Sequence, residues 1–388
     1  MPDALRPAGT PDPLTLAQRL IALDTRAGNE KPAATLLATL LGDAGFAVRL
    51  EEHPRERANL VARYGEGTPL TLTGHLDTVP AEASGWSFDP LAADIDGDRL
   101  RGRGSSDMKA GVAAVVCAAL RHAVRGAPGA LQLVFTFGEE TGCDGARALD
   151  GLAPSPALLV AEPTANRLVL GHKGALWLRL TAHGRSAHGS RPELGENALV
   201  ALAATATRLH GHDGWPTSAT HGPATLNVGA FRSGVQPNLV PDHAELDLDI
   251  RTVPGFGTPE ALAAVQSLAA PGTRIERLLD LASIATDPAA PLVGGLAAAL
   301  RPTAPGGPTA QDRPGEGGPA EPESACASYF TDASVLAGKL GTPAVLLHGP
   351  GDPEQAHTTD ESCSVTRLLE SADAYGRVLA AWGAQPAV

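Results

Sequence analysis

Apolar residues along the chain fall into two rhythms, and the rhythm changes near the middle. Leu14–Leu23 and Ala33–Leu41 carry apolar side chains at helical spacing, with Gly28 and Gly42 as candidate stops. Short apolar runs follow at Phe46–Leu50, Leu60–Arg63 and Leu70–Thr73 and read as strands. Met108–Val124 predicts a long helix that stops at Gly126, with Pro128 beyond it. Leu131–Phe137 and Leu158–Val160 are strand-like again. Strands separated by helices predict an α/β layer with a parallel sheet.

From about Gly174 the rhythm changes. Leu176, Leu178 and Leu180 alternate with other residues, and Leu246, Leu248 and Ile250 alternate with Asp247, Asp249 and Arg251. Alternation marks a sheet with one wet face, usually antiparallel. Asn197–Leu209 between them reads as a helix. The first rhythm returns at Val335–Leu340, Ala344–Leu347 and the helical stretch from Thr366. The expected architecture is a discontinuous α/β domain, residues 1–172 and 284–388, interrupted by a smaller α+β domain at 173–283. Residues 301–323 are rich in Pro and Gly and poor in large apolar groups, so a mobile loop is expected there.

Composition narrows the class. At 388 residues and 43% apolar content the chain can bury a sizeable core without disulfide staples. Aromatics are only 4%, so that core must be mostly Ala, Leu and Val. Acidic residues outnumber basic ones, 43 against 30, giving a net charge of −13. That argues against nucleic acid and anionic membrane as partners. The four cysteines, at 117, 143, 326 and 363, have no CxxC spacing, and the first residues show no signal-peptide pattern. A cytoplasmic location is the expectation.

Four segments place metal-capable residues just after a short apolar strand: LTLTGHLD (70–77), LVFTFGEE (133–140), LLVAEP (158–163) and AVLLHGPGDPEQAH (344–357). In open α/β sheets, ligand sites lie outside the carboxyl ends of the strands. His75 and Asp77 point the same way on extended chain, so Asp77 can accept a hydrogen bond from the ring and leave the other nitrogen for a metal. Glu139 and Glu140 are adjacent acids whose side chains diverge, so one can bind metal while the other moves protons. Asp107, in GRGSSDMKAG, stands where a phosphate-binding loop would have glycine. It can act as a helix N-cap, or its two oxygens can bridge two cations. His75, Asp107, Glu140, Glu162 and His357 together could hold two Zn²⁺ ions if Asp107 bridges.

The segments GHLDTVP, GRGSSDMKAG, FGEETG, AEPT, HGRSAHGSRPELGENA, PNLVPDHAELDLDIR and GPGDPEQAHTTDE resemble, in order, those of the M20 metallopeptidases and amidohydrolases. That group includes acetylornithine deacetylases, desuccinylases, aminoacylases and carboxypeptidases. The resemblance implies an α/β/α zinc-exopeptidase-like catalytic domain with an inserted lid that commonly dimerises. It implies metal ligation by His75, Asp107, Glu140, Glu162 and His357 and a cis peptide after Asp107. It makes Glu139 the general base and Asp77 the acid that orients His75. It places His188 as an oxyanion donor reaching across a dimer, and Asn238 and Arg251 at the substrate. Cross-strand pairing with lid acids such as Asp249 is the other reading of Arg251.

The expected activity is metal-dependent hydrolysis of an N-acyl amino acid or short peptide. The expected cofactor is two divalent ions, Zn²⁺ with Co²⁺ or Mn²⁺ as alternatives. The GPG–EQAH ending favours the acetylornithine deacetylase branch, and SRPELGEN also suits the carboxypeptidase branch. A serine hydrolase is disfavoured: GRSAH at 184–188 only approaches the GxSxG motif. A non-catalytic relative would be expected to have lost ligands, and all are present.

Overall fold

A computed structural model describes residues 11–82, 84–301 and 326–384. The main helices are α1 (Pro13–Ile21), α2 (Lys31–Asp43), α3 (Ala110–Val124), α4 (Ala198–His210), α5 (Thr258–Leu268), α6 (Pro291–Leu300), α7 (Ala333–Leu340) and α8 (Val365–Gly383). The main strands are β1 (Ala47–His53), β2 (Arg57–Tyr64), β3 (Leu70–His75), β4 (Leu131–Thr136), β5 (Ala157–Val160), β6 (Gly174–His183), β7 (Thr225–Ser233), β8 (His243–Thr252), β9 (Arg274–Leu281) and β10 (Ala344–Leu347).

The chain forms two compact units. The first holds the described residues up to 170, 286–301 and 331–384; the second holds 171–285 and 326–330. The last five residues of the second unit depart from the expected partition, which left them in the first domain. Ala327 bridges His172 in parallel, its N–H donates to the Gly171 carbonyl at 2.9 Å, and its carbonyl accepts from the Lys173 N–H at 3.0 Å. Backbone pairing, which has no apolar rhythm to announce it, ties the segment there. The Pro/Gly-rich stretch 301–323 lies, apart from Arg301, outside the described residues.

In the first unit six strands pair in the order β1-β2-β4-β3-β5-β10. The inner pairs β4/β3, β3/β5 and β5/β10 are parallel, and β1/β2 and β2/β4 are antiparallel. Every residue of β3, β4, β5 and β10 is buried. Successive strand side chains point to opposite faces, so both faces of the sheet centre are covered. Helix α3 packs against α1 and α8, and α7 packs on β5. The core is Leu-, Val- and Ala-rich, as the low aromatic content requires.

Helix ends differ from expectation at three points, one of them α3, which begins at Ala110 because Met108 is not helical (φ −133°, ψ 29°). Helix α1 stops at Ile21, well before Gly28, and α2 runs through Gly42 to Asp43. The α2 turn closes at Gly45, whose φ of 89° is in the left-handed region that glycine tolerates. There the Phe46 N–H reaches the Leu41 carbonyl at 3.0 Å and satisfies one of the open carbonyls at the helix end.

In the second unit β7-β8-β6-β9 form an antiparallel sheet. Burial alternates along β6 and β8. Leu176, Leu178, Leu180, Leu246 and Ile250 form its core with Leu202 of α4 and Val265 of α5. No described helix is long and apolar enough to cross a membrane, and none of the four cysteines forms a disulfide.

Two buried histidines give the fold an acid sensitivity. His172 donates from Nδ1 to the Lys173 carbonyl at 2.9 Å, and burial holds it down to about 4. Burial likewise holds His348, edge-on to Tyr375, down to about 4. Below its ordinary value near 6.5 the unfolded chain takes up protons that the folded chain refuses until about pH 4. Their contribution to stability therefore falls as pH drops through that window, by on the order of a few kcal/mol for the pair. In urea unfolding from pH 7 to 4.5 the wild type should lose stability relative to His172→Gln/His348→Gln, because the buried acids with raised pKa values act equally in both. An equal change in the two proteins would exclude these residues as the source.

Candidate metal centre

The carboxyl ends of the parallel strands converge. His75 ends β3, Glu139 and Glu140 follow β4, Glu162 follows β5, and His357 lies in the loop after β10. Asp107 arrives from the side, in a distorted turn, Ser105–Lys109, that leads into α3. Its φ and ψ of −120° and 95° are not helical, the N-cap of α3 is Lys109 two residues on, so Asp107 does not cap that helix, and the Asp107–Met108 peptide is cis. Helix α3 approaches the end of β5 closely through Gly111, where a Cβ would stand 2.1 Å from the Ala161 carbonyl oxygen. Only glycine fits there, next to Glu162.

The five residues form two overlapping triads. His75, Asp107 and Glu162 bring ligand atoms within 4.8 Å of one another, and so do Asp107, Glu140 and His357. Asp107 belongs to both. Its Oδ1 lies 3.0 Å from His75 Nε2 and its Oδ2 lies 3.5 Å from His357 Nε2. His357 Nε2 also meets Glu140 Oε2 at 2.8 Å. His75 and Glu162 are buried, whereas the His357 side chain is 52% exposed.

Asp77 works differently from the simple expectation. His75 Nδ1 donates to the Asp77 backbone carbonyl at 3.0 Å, and the Asp77 carboxylate is farther, at 3.5 Å. That carboxylate instead accepts the Glu139 and Glu140 N–H groups, each at 3.1 Å. It fixes the backbone that carries both acids. Burial alone would raise its pKa, but His75 and these two N–H groups bring it below the ordinary carboxylate value.

The electrostatics call for positive charge. Burial pushes Glu139 and Glu162 well above the ordinary range, and neighbouring carboxylates add to it: Glu162 acts on Glu139, and Asp107 on Glu162. Glu140 is raised for the same reasons, burial and then Asp107. Burial opposes charge on His75, yet Asp107 and Asp77 outweigh it and raise the ring well above its ordinary value. With Nδ1–H committed to a carbonyl, His75 Nε2 faces a carboxylate oxygen at 3.0 Å. Two lone pairs at that distance repel unless a proton or a cation lies between them. Glu139 Oε1 and Glu140 Oε1 are buried without a hydrogen-bond partner. A nitrogen- and carboxylate-only donor set with one shared acid suits a pair of divalent cations.

Two buried acids near this centre escaped the sequence reading. Asp332 precedes α7, accepts a hydrogen bond from Thr136 Oγ1 and is pushed up to about 6, chiefly by burial. It also gives Cys143 a neighbour, since the buried thiol bonds to it. Glu361 sits beneath the Asp107 turn. It stands within the HTTDE segment, so the signal was present, but nothing in spacing showed which groups it meets.

The other expected site residues lie in the second unit. His188 is exposed, and its Nδ1 accepts the Ser190 N–H at 3.1 Å. Asn238 is exposed, and its carbonyl accepts the Gly189 N–H at 2.8 Å. Arg251 donates to Asp249 Oδ2 at 3.0 Å, a pair within strand β8 rather than across strands, and its guanidinium also lies over the Phe330 ring.

A family model described as Peptidase family M20/M25/M40 matches residues 71–381. A probable carboxypeptidase of Aspergillus clavatus is 35% identical over 282 residues, which is 67% of this chain and 62% of that protein. The chain thus matches less than two thirds of that relative's length. A probable carboxypeptidase of Emericella nidulans is 30% identical over 405 residues, 95% of this chain and 89% of its own. The M20 family metallo-carboxypeptidase of Sulfolobus solfataricus superposes with a TM-score of 0.75 at 16% identity, covering 96% of this chain and 99% of that one. This last likeness is one of fold.

Proposed function

Since the chain belongs to peptidase family M20/M25/M40, we propose that it is a metal-dependent exopeptidase that removes a residue from the carboxyl end of a short peptide. The observation that carries the reading is Asp107 shared between two ligand triads in a pocket of raised carboxylates. Carboxypeptidase-named relatives over most of the chain support the peptide over other amides. Hydrolysis of N-acyl amino acids is the second reading. It uses the same bond and the same residues and rests on the GPGDPEQAH segment.

His75, Asp107 and Glu162 would hold one ion and Asp107, Glu140 and His357 the other, with Zn²⁺ first and Co²⁺ or Mn²⁺ as alternatives. When bound, such ions supply Lewis acidity to a carbonyl and bring a water's pKa toward about 7. Glu139 belongs to neither triad, and its Oε1 is uncommitted. It takes the proton of the attacking water and returns it to the amine as the C–N bond breaks. Asp77 holds Glu139 in place through the backbone.

Motif resemblance supports His188, Asn238 and Arg251 as substrate residues. With Nδ1 accepting from Ser190, the His188 proton sits on Nε2, the tautomer a donor to an oxyanion needs. The edge strand β7 with exposed Phe231, and exposed Val235 and Val200 in the same unit, support a homodimer through the second unit. Cysteines without disulfides fit a cytoplasmic location.

The test is a hydrolysis screen of dipeptides, tripeptides and acetyl and succinyl amino acids with zinc, cobalt or manganese. Peptides are expected to be cleaved, and a chelator should abolish turnover until metal is restored. Turnover that survives stripping would remove the metal reading. Cleavage of acyl amino acids alone would replace the first reading with the second.

A further inference from the structure

We propose that Glu361 is the positioning residue that sets the Asp107 turn against the His357 loop, and so fixes the spacing of ligands contributed by distant parts of the chain. The inference rests on the metal reading above. Glu361 is fully buried, and each of its oxygens has two donors. Oε1 accepts from Ser106 N at 2.7 Å and Asp107 N at 3.0 Å. Oε2 accepts from Gly104 N at 3.0 Å and Arg103 Nη1 at 2.7 Å. The Glu361 carbonyl also accepts the Gly102 N–H at 3.0 Å.

The 102–107 turn needs such a partner. Gly104 has φ 81° and Asp107 is non-helical, so these N–H groups have no regular ladder to join. Buried backbone donors must still be satisfied, and here one carboxylate satisfies three of them. One of the three belongs to Asp107 itself, so a shift of the Glu361 carboxylate moves the shared ligand directly. Glu361 also lies four residues beyond His357 on the same loop. A second tie joins the two segments: Ser106 Oγ donates to the Asp352 carbonyl at 2.9 Å and accepts the Asp352 N–H at 2.7 Å. The distance from Asp107 Oδ2 to His357 Nε2, 3.5 Å, is therefore set from below by the Glu361 clamp.

Glutamine cannot replace this residue. Its NH₂ group would point donors at donors on whichever side it lay. Arg103→Met provides the contrast, because it removes the ion pair and leaves all three backbone bonds. Metal-stripped protein is titrated with Co²⁺ against a chromophoric chelator, and the cobalt visible spectrum and the melting temperature are recorded. Glu361→Gln is expected to bind Co²⁺ some 10–100-fold more weakly, as partners of metal ligands typically do when changed, with an altered spectrum. Arg103→Met should melt lower yet keep wild-type affinity and spectrum.

Equal affinity in wild type and Glu361→Gln overturns the proposal. So does a loss of affinity that simply tracks melting temperature across both variants. Should Glu361→Gln fail to fold, Glu361→Asp keeps the charge but shortens the reach, and wild-type affinity there overturns the proposal equally. Wild-type protein that takes up no cobalt would instead remove the metal reading beneath it.

Discussion

Glu139→Gln is expected to keep its metal and lose turnover by about 10²–10⁴-fold, the usual contribution of a general base. The side chain is buried, lies outside both ligand triads and has an uncommitted oxygen. Glutamine matches its volume and leaves the Glu139 N–H bond to Asp77 untouched. Only the ability to accept a proton is removed. Steady-state kinetics alongside metal analysis by emission spectroscopy would check both halves. A variant with near-normal kcat would take Glu139 out of the proton transfer, and a variant stripped of metal would make it a ligand.

Asp107→Asn should cost more, because one side chain serves both triads. Replacing Glu162 or His357 would weaken one site, whereas this change leaves both His75 and His357 without their shared partner. The amide also puts a donor group where one of two facing nitrogens or cations expects an acceptor. Metal content is expected to fall toward zero and hydrolysis to vanish, with the sheet core, which Asp107 does not join, still folded. Two ions per chain retained in Asp107→Asn would exclude it as the bridge.

Much of this was legible in the residues. His75, Glu140 and Glu162 follow apolar runs that are strands, and strand ends are where open α/β sheets place ligands. The alternation of Leu246, Leu248 and Ile250 marks a one-face strand, and β8 shows that alternation in its burial. What stayed hidden depends on backbone groups that have no letter in the sequence. Asp77 was readable as a partner of His75, but its carboxylate serves two N–H groups in a loop 62 and 63 residues away. Glu361 could be quoted as part of a motif, while its partners are backbone donors of a turn more than 250 residues earlier. Residues 326–330 join the second unit by pairing alone, and Gly45 rather than Gly42 turns the chain because the left-handed φ falls there.

The place where the second unit leaves the first has a design consequence. The Thr286 N–H donates to the Leu170 carbonyl at 2.8 Å, so the chain sets out and comes home at hydrogen-bonded neighbours. An excursion with touching ends adds little strain however long it grows, since closure cost rises only slowly with length. The whole of 171–285 is thus a cassette that could be trimmed, enlarged or traded for another module without redrawing the metal-bearing framework, provided the stitch at 326–330 is replaced as well.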